Sequence, residues 1–240
     1  MFKIFRKIRM NSVQSNKVKK YLLYALGEVL LIIIGILIAL QLNNLNEDQK
    51  TFNNEKKTLE LIKTNLQQED TDFQRFISYR INPCVEYLLA VYNKEWNTIS
   101  LDSIGLTGTA YFNYQPFNSA YQGLKSGGNL SLIKNDSLRD RIIYYYEKEY
   151  LHLKDWSEWH KNFVINTLEP YMYNELPINP QELVDDIDFL KEKLEERRLN
   201  SLISTQIGSF NRIHNEINVA RGLIEELITI IDVEIRKRWD

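Results

Sequence analysis

The sequence predicts an all-α protein in which one N-terminal transmembrane helix continues into an elongated extracytoplasmic helical bundle. Three observations carry this expectation. Residues 21–42, YLLYALGEVLLIIIGILIALQL, are apolar except for Glu28 and Gln41, and about 20 apolar residues cross a bilayer core of ~30 Å. Glycine (9) and proline (5) are scarce in the 240 residues, so turns are few and elements long. Apolar residues recur every seven positions over long stretches, the period of helices that pack along a seam.

The expected organisation is a basic cytoplasmic arm at 1–20, the span at 21–42 and a helical domain at 43–240. The arm holds Lys3, Arg6, Lys7, Arg9, Lys17, Lys19 and Lys20 and no acid. The other 23 bases face all 32 acids, a net of −9 beyond the arm. Seven bases beside a span place that flank in the cytoplasm. Lys3, Arg6, Lys7 and Arg9 then meet anionic lipid head groups, and no nucleic-acid partner is expected. Phe2, Phe5 and Ile8 fall at helical spacing between the bases, which suits an interfacial helix. The apolar run exceeds a signal-peptide core and offers no A-x-A site, so it reads as an uncleaved signal anchor of a bacterial inner membrane, with the larger domain in the periplasm.

Within the span, Tyr21 and Tyr24 suit the head-group level. Gly35 and Ala39 form a small-xxx-small pair that lets helices approach closely. Glu28 lies ~10 Å past Tyr21. It either snorkels or pairs with Lys17, Lys20 or a neighbour's base, or it takes a packing or ion-pathway role in an oligomer. Tyr24, Leu31, Ile38, Leu45, Phe52, Leu59, Leu66 and Phe73 keep a heptad seam beyond the span, which predicts one helix over 18–78. Asn82-Pro83 is expected to break it. A short helix then follows through Val85, Leu88, Leu89, Tyr92 and Trp96, and 97–108 reads as loop.

Asn118 or Ser119 caps a short helix ending at Ser126-Gly127-Gly128. Asn135 or Asp136 starts a long one with the apolar face Leu138, Ile142, Tyr145/Tyr146, Leu153, Trp156, His160, Phe163 and Thr167. Pro170 kinks or ends it. Pro180 suits the first position of a helix over 181–190. Ile203, Phe210, Ile217, Ile224 and Ile231, with Ile213, Ala220 and Leu227, mark a final helix. The three long helices expected in the outer domain are 44–80, 136–170 and 196–238.

No chemistry-bearing motif stands out. GxSxG, HExxH, CxxC and EF-hand patterns are absent. Glu149-x-x-His152 is half of a di-iron spacing, but no second pair completes it. No catalytic residue, cofactor or metal site is expected, and the protein is not expected to be an enzyme. The single cysteine, Cys84, excludes an intrachain disulfide; it is either buried and inert or bridged between chains. Fourteen Tyr, ten Phe and four Trp are a heavy aromatic load. Tyr145, Tyr146, Trp156 and Trp159 lie on one helix, so they either fill a core or line a ligand or partner surface.

Two stretches, YALGEVLLIIIGILIALQLNNLNE at 24–47 and YQGLKSGGNLSLIKNDSLRDRIIYYY at 121–146, are similar to the signature motifs of a family of uncharacterised single-pass membrane proteins of Bacteroidota, a domain of unknown function. Gly27, Glu28, Gly35 through Gln41, Asn43, Asn44, Asn46 and Glu47 match the first motif; Leu45 stands where the family usually has Trp. The resemblance implies a single-pass anchor with a helical domain beyond it and implies no activity. The expected role is a membrane-anchored structural or interaction protein in a homo-oligomer or with a membrane partner. The alternatives are a sensory or ligand-binding module with an aromatic-lined bundle, and an oligomeric pore using Glu28.

Overall fold

The structure, a computed structural model, describes residues 17–179, 181 and 183–239. The basic positions Lys3, Arg6, Lys7 and Arg9, and Pro180, lie outside them. The described residues are helical, with one isolated antiparallel bridge between Ile178 and Val184. The chain divides into two compact units, Met1–Asn54 and Glu55–Asp240.

The first unit contains the N-terminal part of helix α1 (Lys17–Phe76). From residue 20 to 50 every side chain is exposed except half-buried Ala25. This is the one helix among the described residues that is long and apolar enough to cross a membrane.

The second unit continues α1 from Glu55. A π turn (Ile77–Ile81) joins it without a break to α2 (Asn82–Tyr92). The expected break at Asn82-Pro83 does not occur. Proline lacks an N–H and its ring crowds the carbonyl four residues back; the wider π turn, closed by Asn82 N–H on the Ile77 carbonyl, makes room for it. The same solution recurs at Pro170. A π turn (Val164–Leu168) precedes it, and α7 (Glu169–Glu175) carries on. Residues 97–108 are also more ordered than expected: a 3-10 turn (Leu101–Ser103) and α3 (Ile104–Gly108) place Leu101 and Ile104 in the core.

Helix α4 (Ser119–Ser126) ends at a turn in which Gly128 adopts φ +66°. Asn135 caps α5 (Asp136–Tyr144) by accepting the Leu138 N–H at 3.1 Å. A third π turn (Tyr145–Glu149) leads into α6 (Tyr150–Phe163). This turn corrects the expected core face. A regular helix from Leu138 brings Trp156, Phe163 and Thr167 inward. The extra residue of the π turn moves these three buried positions one along, to Ser157, Val164 and Leu168, whereas Leu153 and His160 are buried as expected. Helix α8 (Ile187–Glu195) starts later than the expected 181, because Asp186 caps it through the Phe189 N–H, and the N–H groups of Gln181 and Leu183 donate to the Asn179 side chain.

Helix α9 (Arg197–Trp239) buries Ile203, Phe210, Ile213, Ile217, Ala220, Ile224, Leu227 and Ile231, the seam its periodicity predicts. One core cluster joins this seam to Leu59, Ile62, Leu66 and Phe73 of α1. A second gathers α2, α3, α7, α8 and the start of α9.

Two acids on the α1 core stripe, Glu55 and Glu69, are buried. Glu55 receives both guanidinium nitrogens of Arg238 at 2.6 Å and the Lys134 N–H at 2.7 Å. Glu234 joins through Arg238 at 3.2 Å and Asn135 at 2.8 Å. This cluster ties the C-terminal turn of α9 to α1. Removing one partner of such a pair leaves a charge buried without compensation. Arg238→Ala therefore destabilises the fold by ~3–5 kcal/mol, read as a lower urea midpoint, whereas Arg236→Ala on the same exposed turn changes it little.

Candidate functional site

Residues 110–117, AYFNYQPF, have no regular structure yet bury Phe112 in the helical core. Backbone groups in such a place need partners, and side chains of α6 and α9 supply them. Ser157 Oγ–H donates to the Phe112 carbonyl and accepts the Tyr114 N–H, both at 2.9 Å. His160 Nδ1 accepts the Phe112 N–H at 3.5 Å, so its Nε2–H donates to Gln206 Oε1 at 2.9 Å. The Gln206 amide then donates to the carbonyls of Gly108 and Ala110 at 2.9 and 2.7 Å. This network assigns a neutral His160, and burial pushes its pKa down.

Held this way, the segment presents Tyr114 to Glu69. The carboxyl of Glu69 is 1% exposed and accepts one hydroxyl hydrogen bond on each oxygen: Tyr114 on Oε1 and Tyr145 on Oε2 at 2.9 Å. No Lys, Arg or His pairs with it among the described residues. Burial dominates, and with help from Asp72 it outweighs the two tyrosine bonds and raises Glu69 to about 7. Burial, and then Glu69 itself, push Tyr114 and Tyr145 far above the ordinary phenol value. Tyr146 stacks on Tyr121 at 4.6 Å and meets Tyr145 edge-on at 5.0 Å; its buried hydroxyl has no hydrogen-bond partner among the described residues. Above Glu69, α1 and the 110–117 segment enclose a groove of about 450 Å³ walled by Phe73, Phe76, Phe112, Tyr114 and Phe117, with Arg80 at its edge.

The residues singled out in the sequence separate into three places. Tyr145 and Tyr146 are core, 1% and 3% exposed, beside Glu69; they present no surface to a partner protein. Trp156 and Trp159 line a second groove, between α6 and α9. Glu28, Gly35 and Ala39 are exposed on α1 in the first unit. His152 is exposed and lies 3.1 Å from Glu216, while Glu149 takes the Tyr144 hydroxyl. Among the described residues no group of three or more His, Cys, Asp or Glu is placed to hold a metal ion. Cys84 is buried and free, and burial raises its pKa. Glu69, Glu55 and Gln206 were missed in the sequence, although each sits on an apolar stripe at helical spacing: Leu66, Glu69, Phe73; Glu55, Leu59, Ile62; Ile203, Gln206, Phe210.

These features define an all-helical protein with one candidate membrane span and a buried glutamate–tyrosine cluster under an aromatic groove. The chain belongs to a family of unknown function, DUF6090, whose family model matches residues 28–194. No curated protein matches it, and no solved structure does.

Because the folded value of Glu69 lies above the ordinary 4.5, the folded state holds this proton more tightly than the unfolded chain. Its stabilising contribution is complete below pH 4.5 and is lost as pH rises through about 7. The loss is on the order of 3 kcal/mol. Thermal unfolding of the full chain followed from pH 5 to 8 is expected to show wild type losing stability relative to Glu69→Gln across that range. Parallel curves would mean that Glu69 does not titrate there.

Proposed function

We propose that the chain is a single-span membrane-anchored interaction protein of the bacterial inner membrane, with residues 1–20 in the cytoplasm and the helical domain from 43 onward in the periplasm. The observation that carries this is the 21–42 stretch: its apolar side chains lie exposed along α1, an arrangement whose cost in water disappears in lipid. The seven bases on its N-terminal flank orient it. We extend the reading to its family as single-pass proteins of Bacteroidota, on the signature at 24–47. The partner is a second copy or another membrane helix. The pair Gly35 and Ala39 permits close approach, and Glu28, one heptad before Gly35, then gains a partner out of lipid. A second reading, a ligand-sensing domain, is favoured by the groove over Glu69, where a protonatable acid meets aromatic walls.

Reporter fusions after Asp240 test the orientation: alkaline phosphatase is expected to be active and green fluorescent protein dark. The reverse pattern, or release of the protein by alkaline carbonate, would sink the membrane reading. Crosslinking in native membranes tests the helix contact. A crosslinked dimer is expected for wild type and several-fold less for Gly35→Leu; monomer in both would exclude self-association through this face.

A further inference from the structure

We propose that the groove between α6 and α9 is a saccharide-binding site, in which a sugar ring stacks on Trp159 while its hydroxyls bond to Asp155 and Arg212. The groove encloses about 730 Å³ and is lined by Asp155, Trp156, Trp159, Thr205, Ser209 and Arg212.

Its aromatic wall is a consequence of the π turn at Tyr145–Glu149. That turn moves the core position from Trp156 to Ser157, which leaves Trp156 half-buried at the groove. Trp159 meets it edge-on at 5.7 Å, stacks one face on Phe163 at 5.9 Å and is 47% exposed, which leaves the opposite face for a ligand. Exposed rings of this size give up burial energy that the core would otherwise gain. The Arg212 guanidinium lies 4.3 Å from the Trp156 ring centroid, and its N–H groups have no hydrogen-bond partner among the described residues. Asp155 likewise forms no hydrogen bond or ion pair, with Arg212 or with any other described residue. Thr205 and Ser209 donate their hydroxyl protons to helix carbonyls at 2.9 and 2.6 Å, so toward the groove they act as acceptors. The floor is opened by Gly208, where a Cβ would meet nothing within 4 Å. Packing therefore does not require glycine there, and inside a helix it costs ~1 kcal/mol relative to alanine.

This combination selects the ligand class. An anion suits Arg212 but is repelled by Asp155, and a cation the reverse. A neutral polyol donates to the carboxylate and accepts from the guanidinium along its edge. Its C–H face lies against an electron-rich indole. The inference is independent of the membrane reading, since binding is measured on the solubilised chain and topology in cells.

The test uses full-length protein in a zwitterionic detergent that carries no sugar headgroup. Maltose, lactose and N,N′-diacetylchitobiose are titrated by calorimetry and by tryptophan fluorescence, with inorganic phosphate and choline as ionic probes. Saturable binding of at least one disaccharide is expected. Affinity should fall at least ~tenfold in Asp155→Asn, about the loss of one charge-assisted hydrogen bond, and binding should vanish in Trp159→Ala. Circular dichroism melts identify folded variants, and Arg212→Gln decides if either of the others unfolds. Absence of binding by all three disaccharides, affinity unchanged in the folded variants, or saturation by phosphate or choline in their place would overturn the proposal.

Discussion

The irregular segment at 110–117 imposes the main constraint on this fold. Helices satisfy their own backbone; an irregular strap does not, and its N–H and C=O groups are buried where water is scarce. Ser157, His160 and Gln206 meet that demand with five hydrogen bonds to residues 108–114. Each bond is modest in net terms, but an orphaned partner costs ~1–3 kcal/mol. The three side chains must therefore stay on core faces of α6 and α9 where apolar residues would otherwise sit. They also define the strap's register, and that register delivers Phe112 and Tyr114 to the face of α1 that carries Glu69.

The π turns are the second organising device. Two precede Pro83 and Pro170 by the same interval and let long helices pass through residues that ordinarily stop them. The third contains no proline. Its extra residue lets adjacent Tyr145 and Tyr146 both enter the core and moves the buried position from 156 to 157, while Leu153 and His160 keep their places in the core. Ser157 thereby reaches the strap, and Trp156 is left at the α6–α9 groove. A single inserted residue thus sets the buried tyrosine cluster and the exposed tryptophan pair together.

Much of the scaffold was legible in the chain. The heptads of α9, the Leu59–Phe73 seam of α1, the Asn135 cap and the left-handed Gly128 all follow from local rules that act within a few residues. The departures have one cause each. Pro83 was read as a break because proline disfavours a helix interior, and the compensating π turn has no sequence signature of its own. On α6 the expected positions Leu153 and His160 are buried, but Ser157 takes the place expected for Trp156 for the same reason. Glu55, Glu69 and Gln206 were passed over because charged and amide residues are usually solvated on helices. Their positions on apolar stripes are visible, but the partners that make burial tolerable, Arg238, Tyr114 and the carbonyls of Gly108 and Ala110, lie 45 to 183 residues away. Long-range pairing of this kind is a property of the fold.

The three buried polar centres also differ in what they can do. Glu55 is matched by Arg238 in a bidentate pair, so its charge is compensated and its role is a clamp. His160 is held neutral between a donor and an acceptor, and burial lowers its pKa further, so protonation would break the network that orders the strap. Glu69 alone has only neutral partners: two tyrosine hydroxyls that donate to the carboxylate and bring no compensating charge. Burial raises its pKa toward neutrality, and it lies at the base of an aromatic groove, next to a segment whose backbone is held by side-chain hydrogen bonds. Of the three, it is the one whose protonation leaves no ion pair to break, so a pH response within the helical unit is to be sought there.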